Sequence, residues 1–184
     1  RVTMPAADVE PHSNSMGKLE QKVLNTNPML EAFGNAKTLR NDNSSRFGKF
    51  IKIQFSESGR IVGAAMERYL LEKTRVINHK DGERNFHIFY QFLGGSSADA
   101  LKRLDLVHNP EEYAIVACEG TSSEIPKVSD AKEFRLTCDC MKSVGIDDAI
   151  QADVFSLLAG VLHTGNLEFS DKDDEAVMNE LTPK

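Results

Sequence analysis

The chain has no apolar run approaching the ~18 residues that a membrane-crossing helix needs. Its start, Arg1-Val2-Thr3-Met4-Pro5, lacks an apolar h-region and does not read as a signal peptide. Cysteine is scarce: Cys118, Cys138 and Cys140 are an odd set that cannot all pair internally. Cys138-Asp139-Cys140 is too tightly spaced for a zinc knuckle, and no second Cys or His pair follows at ligand spacing. Reduced thiols in the cytosol are the favoured reading. His12, His79, His87, His108 and His163 are scattered without ligand pattern, so no metal cage is expected. Positive charge is also short. The formal net charge is −6, and no basic stretch is interleaved with aromatics, which argues against nucleic-acid binding. Finally, no Gly-x-x-x-x-Gly-Lys-Ser/Thr run occurs, so a backbone cradle for phosphates of that type is missing.

What is present suffices for an ordinary core, since 40% of the 184 residues are apolar. The pattern is α/β: helix-rich, with one clear β-hairpin. Residues 1–17 are polar and irregular and read as a flexible surface loop. Leu19, Val23 and Leu24 suit a short helix from Lys18 to Asn25. Asn27-Pro28 punctuates it, and Pro28 fits the first position of a second helix that carries Met29, Leu30 and Phe33 and stops at Gly34-Asn35. Ile51, Ile53 and Phe55 alternate with Lys52 and Gln54 as in a half-buried strand. Ser56 to Arg60 has turn chemistry, and Ile61 to Met66 reads as the returning strand. Asn85 is a plausible N-cap for an aromatic helix from Phe86 to Leu93 that Gly94-Gly95 ends; its stripe reads as packed core. Ser96 or Ser97 caps a further short helix through Leu104. Asp147 and Asp148 open the strongest helix, with Ile150, Val154, Leu157, Leu158, Val161 and Leu162 on one face and His163 and Gly165 at its end. Asp171 to Glu175 reads as a solvated acidic stretch. His87 and His163 have no acidic or cysteine partners in pattern, and Cys118 reads as a small buried hydrophobe.

The densest chemistry lies in Asn41-Asp42-Asn43-Ser44-Ser45-Arg46-Phe47-Gly48-Lys49-Phe50. Two amides, two adjacent hydroxyls, an arginine and a glycine run straight into the β-pattern. Hydroxyls ligate Mg²⁺ or hydrogen-bond a phosphate oxygen. Arginine offers a planar charged fork, and glycine lets a backbone pivot. Ser44-Ser45-Arg46 alone is also compatible with an ordinary polar loop.

The whole run resembles switch I of the myosin motor, matched without interruption across Asn-x-x-Ser-Ser-Arg-Phe-Gly-Lys. Asn27-Pro28-Met29-Leu30-Glu31-Ala32-Phe33-Gly34-Asn35-Ala36-Lys37-Thr38 resembles the segment that leads into it. Leu70 to Val76, Glu83 to Gln91 and Leu158 to Asn166 resemble three further myosin signatures in the right order. Kinesins share Ser-Ser-Arg, but their run continues to Ser-His. The resemblance covers roughly residues 18–170.

It implies a fragment of a P-loop NTPase motor domain, a fold in which the hairpin at about 49–70 belongs to the central sheet. Residues 1–17 would be a variable loop, 18–184 part of one motor domain, 41–49 switch I, and the helices at about 85–184 part of the upper actin-cleft subdomain. By the same resemblance Ser45 would ligate Mg²⁺, and Ser44 would hydrogen-bond the terminal phosphate beside the attacking water. Asn41 and Asn43 would contact the nucleotide phosphates. Arg46 would pair with a glutamate of switch II, and Gly48 would give backbone freedom beside the nucleotide. The implied cofactor is Mg-ATP and the implied partners are actin filaments, with light chains or calmodulin on a neck that is absent here. The location would be the cytoplasm and cytoskeleton. The phosphate loop would lie before Arg1 and switch II beyond Lys184, and the first residue is not methionine; a fragment inactive by itself, with exposed apolar faces and a tendency to aggregate, is expected. The alternative is a non-catalytic interaction domain with a myosin-like shape.

Overall fold

The computed structural model describes residues 2–3, 18–118, 123–172 and 175–178. Helix α1, Lys18–Gly34, runs unbroken through Pro28, where two short helices were expected. Proline removes one N–H from the helical ladder. Packing outweighs that loss: after Pro28, Ala32 is buried and Phe33 packs against the core, and before it Thr26 is buried and Asn25 Nδ2 donates to Ser143 Oγ at 3.1 Å. Near the interruption, Thr26 Oγ1 donates to the Val23 carbonyl at 2.6 Å.

The chain then makes two antiparallel ribbons. Strand β1, Val2–Thr3, joins the second of them. Strands β2, Asn35–Thr38, and β3, Asn41–Ser45, pair with Ala36 opposite Ser44. Strands β4, Phe47–Phe55, and β5, Ile61–Leu71, form the expected hairpin, with Ile51 opposite Met66 and Ile53 opposite Ala64. β1 adds to the other side of β5, giving the order β1-β5-β4. Val2 and Thr3 are therefore strand within a stretch read as loop; residue 1 and residues 4–17 lie outside the described residues.

Helices α2, His87–Gly95, α3, Ala98–Arg103, α4, Asp130–Ser143, and α5, Asp148–Gly165, build the rest, followed by β6, Phe169–Lys172, and β7, Glu175–Met178. β6 and β7 pair as a hairpin, so the backbone around the acidic stretch is strand on both sides of residues 173–174. Ser97 caps α3 through Ala100 N, and Asp147 caps α5 by accepting from Ala149 N and Ile150 N at 3.0 Å. Among the described residues no helix is long and apolar enough to cross a membrane.

The core centres on α2, in which every residue from His87 to Leu93 is buried. Phe92 stacks on Phe155 of α5 at 5.2 Å, and both meet Phe134 of α4. Cys118 is buried in the same cluster, as its reading as a small hydrophobe requires.

Asn85 does not cap α2. That helix has Phe86 at its N-cap position with no side-chain bond. Asn85 instead spends its amide on carbonyls, donating to Ile115 O at 2.7 Å and Val76 O at 3.2 Å, and so brackets two loops. Beside it Arg84 is fully buried, with its guanidinium 3.8 Å above the Tyr90 ring and Nη2 on Asp130 at 2.8 Å. Arg84 Nε and Nη1 have no partner among the described residues.

The exposed apolar faces that the sequence suggested are present. Phe50, Ile53 and Phe55 on β4 and Leu70 on β5 are exposed, Leu70 at 92%. On α5 the buried line runs through Gln151, Ala159 and Leu162, while Ile150, Leu157 and Val161 face outward. The expected single apolar face is thus split, because Phe92 of α2, Phe134 of α4 and Ile115 cover only one flank of this helix.

At Gly95, α2 lies close against α4: a Cβ there would sit 2.4 Å from Phe134 Cβ. Gly95→Ala should therefore lower stability by about 1–3 kcal/mol, the usual cost of overpacking. Urea denaturation of the two proteins measures it.

Candidate functional site

The run from Asn41 to Lys49 forms strand, not loop. Its first half is β3, held by β2, and its second half opens β4. Between them, Arg46 N donates to Gly34 O at 2.8 Å, and Glu72 N donates to Arg46 O at 3.0 Å. The Phe47 ring lies against Gly34, where an added Cβ would meet it at 2.2 Å, so only glycine lets the end of α1 approach the run this closely.

The structure joins Ser44 and Arg46 in one hydrogen-bonded group with Glu72, and holds Asn43 in a second group beside it. Arg46 Nη1 donates to Ser44 Oγ at 3.2 Å, and Arg46 Nε donates to Glu72 Oε2 at 2.6 Å. Because Ser44 Oγ accepts from a cation, its own O–H remains available to donate. Ser45 Oγ donates to Phe47 O at 2.9 Å, which leaves its lone pairs facing outward from an exposed residue. Asn41 Oδ1 accepts from Asn43 N at 2.9 Å, a local bond that fixes the start of β3.

Asn43 is the hub. Its Oδ1 accepts from Asn35 Nδ2 at 2.9 Å and lies 3.1 Å from His87 Nε2, and its Nδ2 donates to Glu31 Oε2 at 2.9 Å. An accepting Oδ1 requires the Nε2-protonated tautomer of His87. Gly48 sits at a register shift in the β4–β5 pairing opposite Tyr69. Its φ lies outside the left-handed region, among the glycines that do not need it.

Four residues of this cluster were not singled out as site residues: Glu31, Asn35, Glu72 and His87. Glu72 and His87 stand inside signature segments quoted above, but a partner separated by 26 or 44 positions leaves no local spacing to read. Glu72 is the electrostatic centre. Its carboxyl is held down at about 2, first by the hydrogen bond from Arg46, with Arg75 adding to it against the opposing effect of burial. The Arg46 guanidinium is raised in turn by Glu72. His87 is lowered to about 4, first by burial and then by the charge of Arg84.

These shifts separate two acid windows. The stability owed to neutral His87 is complete above its unfolded value near 6.5 and is lost as pH falls towards about 4. That owed to ionised Glu72 is complete above its unfolded value near 4.5 and is lost as pH falls towards about 2. A urea midpoint measured from pH 7 to pH 4.5 should therefore fall in the native chain, and His87→Gln should flatten that slope while leaving any loss below pH 4 in place.

Comparison with known proteins completes the picture. The family described as Myosin head (motor domain) matches residues 4–182. Myosin-52 of Schizosaccharomyces pombe is 47% identical over 161 residues, covering 88% of this chain and 11% of that protein. Myosin-J heavy chain of Dictyostelium discoideum is 50% identical over 153 residues, covering 83% and 7%. Unconventional myosin-Ic of Rattus norvegicus is 41% identical over 168 residues, covering 91% and 16%. The chain thus spans a small part of the length of each relative. With a helix, a strand pair and a hairpin converging on an unbroken Asn-x-x-Ser-Ser-Arg-Phe-Gly-Lys run, the chain belongs to the myosin head (motor domain) family.

Proposed function

We propose that this chain is a fragment, carrying switch I, of an actin-based motor that couples Mg-ATP binding and hydrolysis to movement on actin filaments. The observation that carries the reading is the grouping of Ser44, Ser45 and Arg46 on a braced strand, with Ser44 Oγ 3.2 Å from Arg46 Nη1. In this reading residues 41–49 are switch I and the hairpin at about 49–70 belongs to the central sheet. The helices from about 85 onward belong to the upper actin-cleft subdomain. ATP and actin are the partners, and the setting is the cytoplasm and cytoskeleton.

The donor set fits magnesium and phosphate in part. Ser45 offers an exposed hydroxyl oxygen whose proton is already committed to Phe47 O, which suits a hard cation. When bound, the metal supplies charge neutralisation on the outer phosphates. Ser44 keeps a free proton, which suits donation to a terminal phosphate oxygen or to the attacking water. Among the described residues the Asn41 side chain is engaged through Oδ1, which leaves its amide nitrogen to reach a phosphate. Asn43 fits less well: both ends of its amide are bonded inside the chain, so it acts by holding the strand in place. Arg46 closes the site by charge, and Gly48 keeps bulk away beside it. Phosphoryl transfer depends on such positioning, so loss of these contacts stops hydrolysis without redirecting it.

The chain alone lacks a phosphate cradle of the Gly-x-x-x-x-Gly-Lys type and is inactive by itself in this reading. Calorimetry of the isolated chain should show no Mg-ATP binding, and a Ser45-dependent signal would overturn that part. In a complete motor domain carrying this segment, Arg46→Ala should abolish the rapid hydrolysis burst. A burst of normal size in quench-flow would defeat the assignment.

A further inference from the structure

The ion pair at Arg46 is the start of a longer chain of charges. Glu72 Oε2 accepts from two guanidinium groups at once, Arg46 Nε at 2.6 Å and Arg75 Nε at 2.8 Å. Arg75 is only 5% exposed and is pinned at its other donors, with Nη1 on Arg84 O at 3.0 Å and Nη2 on Glu83 Oε2 at 2.9 Å. Glu83 Oε1 then makes a long contact of 3.5 Å with Leu39 N, in the turn that joins β2 to β3. The path therefore leaves the candidate site at Arg46 and returns to the same ribbon at Leu39.

We propose that Glu72 is the positioning residue for Arg46, and that Arg46, Glu72, Arg75 and Glu83 form a relay that ties the angle of the switch strand to the segment from Glu72 to Arg84. The inference rests on the reading of Arg46 given above. Arg75 is fixed because it is buried and each of its three guanidinium nitrogens donates a hydrogen bond. A carboxylate oxygen shared by two Nε–H groups cannot follow one without moving against the other, so Arg75 fixes Glu72. Glu72 in turn fixes Arg46 Nε, and the rigid fork then presents Nη1 to Ser44. The backbone enforces the same alignment through the Glu72 N to Arg46 O bond at 3.0 Å. Glu72 touches no reacting atom in this scheme; it acts through Arg46. The relay also gives the 72–84 segment a role: displacing Glu83 or Arg75 shifts Arg46 without touching the switch strand.

The first test reads side-chain motion in the chain itself, by hydrogen exchange of the arginine Nε–H groups in NMR. Loss of a charge-assisted hydrogen bond should speed exchange at Arg46 about tenfold in Glu72→Gln. Glu83→Gln, two links away, should also speed it, whereas Lys142→Ala, which removes the remote pair with Asp148, should not. Unchanged exchange at Arg46 in Glu72→Gln would overturn the positioning role, and unchanged exchange in Glu83→Gln would overturn the relay. Should Glu72→Gln fail to fold, Glu72→Asp and Glu83→Gln carry the same readout.

The second test uses a complete motor domain carrying this segment. Glu72→Gln should slow the hydrolysis step about tenfold with KM for ATP almost unchanged, and adding Arg46→Ala should make it no worse than Arg46→Ala alone. An inactive Arg46→Ala with a normal Glu72→Gln would overturn this proposal alone. A normal Arg46→Ala would instead overturn the reading of the site beneath it.

Discussion

Burial of α2 on every side is the constraint from which the rest of the structure follows. No residue from His87 to Leu93 reaches solvent appreciably, so the helix must be wrapped by α1, α4 and α5. Its aromatic residues set the spacing: Phe92, Phe134 and Phe155 lock three helices together, and Gly95 lets α4 come within van der Waals reach. Such a core is non-directional in its driving force but specific in its packing. It also forces one polar residue into a defined place. His87 opens α2 and meets Asn43 on β3, so the candidate site is attached to the most deeply buried element of the fold.

The site itself is built the opposite way, from directional bonds on an exposed ribbon. β3 buries little, and its shape depends on Asn35, Glu31 and His87 converging on a single amide. Arg46 is bracketed by backbone bonds to Gly34 and Glu72, one at each end of a different element. A polar strand held in this manner keeps its side chains in fixed directions while leaving Ser45 open to solvent. That division between an internally satisfied frame and unspent hydroxyls suits a surface that must meet a charged ligand.

Much of this architecture was legible in the residues, and the gaps have physical causes. Alternation of Ile51, Ile53 and Phe55 marks the hairpin by its period, although only Ile51 of the three is partly covered and Ile53 and Phe55 stand exposed. Ser97 and Asp147 marked helix starts because short side chains satisfy orphan N–H groups locally. Helix α4 passed unnoticed: its buried set is Phe134, Thr137, Cys140 and Met141, diluted by charges on a mostly solvated surface. Pro28 reads as a boundary because local propensity knows nothing of the core that carries α1 through it. Asn85 reads as a cap for the same reason, since its true partners lie at Val76 and Ile115. In the site, the residue types of the Asn41–Lys49 run were plain in the sequence, but their bracing by Glu72 and His87 exists only after folding.

Arg84 carries a different kind of consequence. A whole guanidinium is enclosed with two of its nitrogens unsatisfied among the described residues, resting on the Tyr90 ring and on one carboxylate, Asp130, which is itself partly open to water. A buried cation whose counter-ion sits at the surface makes tolerance to substitution hard to judge by depth alone. Neutralising Asp130, seemingly a change of coat, would strand a charge in the interior, so this position belongs with the core when variants of the chain are ranked for harm.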